Sequence, residues 1–90
     1  MSAVRRGRAP AELLAGRVVL VAGAREGAAA ARALVDAGAA VVVVDPDARA
    51  AGSLCGELVA AGGRAAVFTG DPADPRDRDA LAEMVTELFP

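Results

Sequence analysis

Apolar residues in this chain fall into short unbroken runs and into runs spaced three or four apart, and the two patterns alternate. Residues 17–21 (Arg-Val-Val-Leu-Val) form a continuous, β-branched apolar run, the mark of a strand buried on both faces. Gly23 to Gly27 break the run as a turn. Residues 27–37 are alanine-rich with Leu34 and Val35 on one side, which predicts a helix, and Gly38 supplies the left-handed position just past its end. Residues 40–44 predict a second buried strand, stopped by Asp45-Pro46. From 48 to 61, Ala51, Leu54, Leu58 and Ala61 recur at helical spacing and make one apolar face. Gly52 and Gly56 weaken this second helix by roughly 1 kcal/mol each relative to alanine, and Gly62-Gly63 ends it. Residues 65–69 predict a third strand. Asp74 then reads as the N-cap, and Pro75 as the first position, of a third helix with Asp77 and Asp79 near its positive end. Leu81, Met84, Val85 and Leu88 form its expected buried stripe.

The order is β-α-β-α-β-α, and strands buried on both faces and joined by helices require a parallel sheet with right-handed crossovers. The predicted fold class is therefore α/β. Three parallel strands in the order 3-2-1 alternate with three helices in a three-layer α/β/α arrangement, one mononucleotide-binding half of a doubly wound fold. Residues 1–13 are expected to form a flexible tail and residues 14–90 a single unit.

Composition narrows the possibilities. Ninety residues make one small domain at most, with a core marginal for independent stability, so a chain that does not fold alone is one expectation. The apolar fraction is 54%, but much of it is alanine, so burial rests on Val and Leu packed around small residues. The net charge of -2 gives no electrostatic case for nucleic acid or acidic lipid. Arg5, Arg6 and Arg8 cluster near the start without a following apolar segment of the kind a leader needs, so they read as part of a solvated tail. No apolar run approaches bilayer length, which argues against a membrane span. Cys55 is alone and there is no His, so neither a disulfide framework, a zinc cluster nor His-based acid–base chemistry can be built from these residues. A cytoplasmic protein is the default expectation.

The chemistry concentrates in Ala22-Gly-Ala-Arg-Glu-Gly-Ala-Ala29, between the first strand and the first helix. A strand that turns directly into a helix points free backbone N–H groups at one spot. A diphosphate placed there gains hydrogen bonds and a favourable dipole, a charge contribution of about 0.3–1 kcal/mol. Gly23 and Gly27 stand where a Cβ would obstruct the chain reversal and the approach of phosphate oxygens, and the backbone of Ala28 joins them. Ala29 is the third small residue, expected to let the helix pack closely on the strand. Arg25 adds a cation beside the turn. Asp45 ends the second strand 22 residues after Gly23, near the roughly 20 expected of a carboxylate that holds ribose hydroxyls. Such a carboxylate accepts from the 2′- and 3′-hydroxyls and repels a 2′-phosphate, which favours NAD over NADP. Each residue also has a plainer reading: a structural βα turn for the glycines, a solvated charge for Arg25, a strand-ending acid for Asp45.

The run from Leu14 through Gly27 resembles the opening of the short-chain dehydrogenase/reductase family, whose pattern there is Thr-Gly-x-x-x-Gly-x-Gly. Gly23 and Gly27 match, Ala22 stands for the threonine, Ala28 for the usual Ile, and Ala29 for the last glycine. The missing hydroxyl and the added methyl imply a first helix set slightly further out. Val41 to Asp45 is similar to the family's second strand with its NAD-selecting acid. Asp71, after Phe68-Thr69-Gly70, is similar to the Asp that faces the adenine ring, and the segment from Asp74-Pro75 to Phe89 to the helix that follows. The basic residue that NADP-favouring members often carry before the second glycine is replaced by Glu26, which again leans towards NAD.

The resemblance implies an N-terminal Rossmann portion of an NAD(P)-dependent oxidoreductase whose full-length relatives move hydride between a nicotinamide and an alcohol or ketone. The family's Tyr, Lys and Asn are not among these residue types at all, and its orienting Ser is not placed. The expectation is an N-terminal cofactor-binding fragment that ends before the catalytic half. It would pair with that missing half or with another copy of itself. A degenerate, non-catalytic module used in protein association is the alternative.

Overall fold

The computed structural model describes residues 13–89. Six elements follow one another: β1 (Val18–Ala22), α1 (Ala28–Asp36), β2 (Ala40–Asp45), α2 (Ala48–Ala60), β3 (Arg64–Thr69) and α3 (Pro75–Leu88). The strands form one parallel sheet in the order β1-β2-β3. Val18 pairs with Ala40 and Ala22 with Val44, while Ala40 pairs with Arg64 and Asp45 with Thr69. This is the expected Rossmann-like α/β arrangement. Of the expected tail, Leu13 alone is described, and it is exposed; the Arg5, Arg6 and Arg8 cluster lies outside the described residues.

Strand β2 organises the core. Successive side chains on a strand point to opposite faces, so its valines divide between two apolar layers. Val41 and Val43 pack with Val21, Ala31, Ala51, Leu54 and Leu58 under α1 and α2. Val42 and Val44 pack with Leu81, and with Phe68, Met84 and Val85, under α3. The four valines are essentially free of solvent, and each buried side chain is worth about 1.5–3 kcal/mol. The other two strands are less enclosed than their sequence suggests. Among the described residues strand β1 has a neighbour on one side only, and Leu20 remains 50% exposed. Together with Val18, Leu81 and Val85 it lines an apolar groove of about 520 Å³ between the open edge and α3.

Helix ends follow local chemistry. Helices α1 and α2 both close on a glycine with left-handed backbone, Gly38 (φ +96°) and Gly62 (φ +92°). The Gly38 and Ala39 amides donate to the Val35 and Leu34 carbonyls, and the Gly62 and Gly63 amides to those of Val59 and Leu58, the same paired closure at both ends. Two buried-stripe assignments change. Leu88 is 53% exposed and Ala61 also faces solvent; Phe89 packs against the α3 layer instead, with the Arg64 guanidinium 5.6 Å from its ring centre. The last turn of α3 has rotated past the sheet by Leu88, and the chain leaves the helix at Phe89 (φ -131°), which brings that ring back.

Leu58 is 1% exposed at the centre of the α2 layer. Leu58→Ala should lower unfolding free energy by about 2–5 kcal/mol in urea titration, whereas Leu88→Ala should change it by less than about 0.5 kcal/mol.

Candidate nucleotide site at the carboxyl edge of the sheet

The three strands end side by side, and backbone hydrogen bonds hold their exits together. The Gly23 amide donates to the Val44 carbonyl at 2.9 Å, and the Gly70 amide to the Asp45 carbonyl at 3.2 Å. The loops carrying Gly23, Asp45 and Asp71 therefore leave one edge as neighbours. In open α/β sheets this carboxyl edge is where ligands sit.

The glycine turn is built from two different constraints. Gly23 has φ +87°, a left-handed conformation that reverses the chain and disfavours any side chain. Gly27 has ordinary backbone (φ -95°) but no room for a side chain. A Cβ there would land on Val21 Cγ1 and 2.8 Å from the Gly23 carbonyl oxygen. Gly27 thus provides the close helix-on-strand packing that the sequence pattern assigned to Ala29. Ala29 itself is exposed, so its methyl points to solvent and does not push α1 outwards, contrary to the expectation.

Helix α1 has no side-chain cap and no acidic residue in its first turn. The Gly27 amide turns back to the Gly23 carbonyl at 2.9 Å, and the Ala28 amide reaches the Arg25 carbonyl only at 3.5 Å. The amides of Ala29 and Ala30 have no acceptor among the described residues. The other two helices differ: Asp47 caps α2 by accepting from the Arg49 and Ala50 amides, and Asp74 caps α3 by accepting from the Arg76 amide. The helix that follows the glycine turn is the one whose positive end stays open. Glu26, exposed, folds its carboxylate over the α-carbon of Gly23, a placement that the sequence did not reveal.

Asp45 is half-buried at the end of β2. One carboxylate oxygen accepts the Ala24 amide at 2.7 Å and the other accepts the Asp47 amide at 2.8 Å. The carboxylate therefore ties the β1–α1 turn to the β2–α2 turn. These two amides, with the Arg25 guanidinium nearby, hold its carboxyl below its ordinary value against the opposing effect of partial desolvation. It is ionised at neutral pH, and each oxygen keeps acceptor capacity beyond its amide partner. A cavity of about 180 Å³ opens beside it, lined by Arg25, Glu26, Asp45, Asp47 and Ala50. It adjoins a groove of about 360 Å³ between α1 and α2 whose walls include Arg25, Arg32, Arg49 and Ser53.

Asp71 is exposed in the loop after β3. Its Oδ1 accepts the Ala73 amide at 2.9 Å, and its own amide donates to Asp77 Oδ2 at 2.8 Å. Asp77, expected only to complement the helix dipole, thus also fastens the loop. Elsewhere, Glu57 pairs with Arg32 across α1 and α2 at 2.6 Å, an exposed pair worth about 0–1 kcal/mol. Burial pushes the Cys55 thiol up, away from reactivity. Among the described residues no acidic, His or Cys group is arranged to hold a metal ion, and no helix is long and apolar enough to cross a membrane.

The lowered Asp45 carboxyl has a signed consequence for stability. A folded-state value below the unfolded one contributes stability that is complete above the ordinary carboxylate range and is lost as pH falls through the folded value. Urea unfolding of wild type and Asp45→Asn should therefore differ by a constant amount near neutrality, and the gap should close on acidification below that range.

Comparison with known proteins places this geometry. A family model described as short chain dehydrogenase matches residues 17–90. Among curated proteins, none matches the chain. Several solved structures are similar. A metagenomic short-chain oxidoreductase in complex with NADP is 36% identical over 84% of this chain and 35% of its own, with a TM-score of 0.75. The citronellol catabolism dehydrogenase of Pseudomonas aeruginosa PAO1 is 28% identical over 83% of this chain and 33% of its own, also at 0.75. A protein described as a candidate D-mannonate oxidoreductase from Haemophilus influenza, with bound NAD, reaches a TM-score of 0.81 at 18% identity over 91% of this chain and 30% of its own, a likeness of fold alone. The chain spans about a third of the length of these relatives. With a glycine-turned βα junction, an acid ending β2 and a family match over most of its residues, the chain belongs to the short chain dehydrogenase family.

Proposed function

We propose that these ninety residues are an N-terminal cofactor-binding portion of an NAD(P)-dependent short-chain oxidoreductase, with NAD preferred. The observation that carries the reading is the uncapped start of α1 directly behind the Gly23 turn, next to a carboxylate held ionised by two backbone amides. The residues fit a dinucleotide. Gly23, Gly27 and the amides from Ala28 onward would receive the diphosphate, with Arg25 as the adjacent cation. Asp45 would accept from the adenosine ribose hydroxyls, and its charge, with Glu26 beside the same cavity, disfavours a 2′-phosphate. Asp71 would face the adenine edge. The bound nicotinamide supplies hydride chemistry. The proton-transfer groups that the family uses, Tyr and Lys, are not among these ninety residues and would come from outside them.

Isothermal titration of the chain with NADH tests this directly. Wild type should bind, and Asp45→Ala should weaken binding about tenfold or more, the loss expected of a charged acceptor. No heat at millimolar NADH, or undiminished binding by Asp45→Ala, overturns the assignment.

The half-exposed Leu20 on β1, whose outer edge pairs with no strand among the described residues, favours a second reading, a module used for protein association, because an open strand edge is a template for pairing. Sedimentation separates the two. A defined dimer indifferent to NADH supports the association module, and a monomer that binds NADH contradicts it.

A further inference from the structure

We propose that Asp77 is a positioning residue that aims the carboxylate of Asp71 at the nucleotide base; this deepens the assignment of Asp71 to the adenine edge and rests on it. Nearly every polar atom of Asp71 is already engaged. Its amide donates to Asp77 Oδ2 at 2.8 Å, its carbonyl accepts the Asp74 amide at 3.0 Å, and its Oδ1 accepts the Ala73 amide at 2.9 Å. What remains is Oδ2, a carboxylate acceptor with no donor among the described residues. It is matched to one N–H of an exocyclic amino group.

Asp77 sets where that oxygen points. It is half-buried in the first turn of α3, an element packed on β2 through Leu81, so its carboxylate is anchored to the core. The preceding residue is confined by the same group. A Cβ on Gly70 would lie 2.9 Å from Asp77 Oδ2 and 2.7 Å from Phe68 Cε2, so the chain passes between the carboxylate and the ring without slack. The Gly70 amide in turn donates to the Asp45 carbonyl. The loop that carries Asp71 is thus fixed from α3 on one side and from β2 on the other. Removing the Asp77 carboxylate frees the Asp71 amide and lets the loop lift away from the base. Asparagine at 77 still offers an oxygen to that amide and should keep the loop in place.

The test compares NADH with its 6-deamino analogue, which carries hypoxanthine and lacks the amino group, by isothermal titration of the full chain, with circular dichroism to confirm folding of each variant. Wild type should favour NADH over the analogue by about three- to tenfold, the range of one hydrogen bond. Asp77→Ala and, independently, Gly70→Ala should abolish the ratio, while Asp77→Asn should retain it. A merely structural role for Asp77 would lower affinity for both ligands equally and leave the ratio intact, which overturns the inference. If Asp71→Ala removes the ratio while Asp77→Ala and Gly70→Ala keep it, the positioning role fails and the assignment of Asp71 survives. If wild type does not discriminate and Asp71→Ala changes nothing, the assignment of Asp71 fails and the inference with it.

Discussion

Dehydration of both faces of β2 is the constraint from which the rest of the molecule follows. A strand with valines alternately on two sides needs apolar cover above and below and hydrogen-bonded strands on either flank. Helices α1 and α2 supply one cover, α3 the other, and β1 and β3 the flanks. Because parallel strands run in one direction, satisfying β2 brings all three strand exits to one edge. The candidate site is a by-product of that demand: Gly23, Asp45 and Asp71 are neighbours because the strands before them pair in register.

At that edge, the polar chemistry is carried by backbone amides and aspartates. Asp47 and Asp74 satisfy the first amides of α2 and α3, and Asp45 satisfies the amides of Ala24 and Asp47. The start of α1 is left open. Two closed helix starts and one open one make a site with a defined place for negative charge, set beside a carboxylate that accepts hydroxyls. The electrostatic contrast over a few residues, the open amide dipoles of α1 against the Asp45 carboxylate, is what a ligand with an anionic bridge and a neutral diol would match.

Much of this was legible from residue order. Unbroken valine runs, helical spacing and glycine punctuation located all six elements, and the spacing from Gly23 to Asp45 pointed to the edge they share. The parts that were not legible depend on which way a side chain or a turn faces. Gly27 and Ala29 look interchangeable as small residues, yet one sits on Val21 and the other in solvent. Leu88 fits the apolar spacing of α3, but the helix has rolled past the sheet there and Phe89 takes the place. Asp77 reads as one more acid at a positive helix end, and only its bond to the Asp71 amide shows that it holds a loop.

The paired glycine closures of α1 and α2 lie at the opposite edge of the sheet from the candidate site. The features that stop the helices and those that would recognise a ligand are therefore physically segregated. Loops at the carboxyl edge are free to diverge in length and charge without disturbing how the chain turns back at the other, and the architecture can change its specificity while keeping its frame.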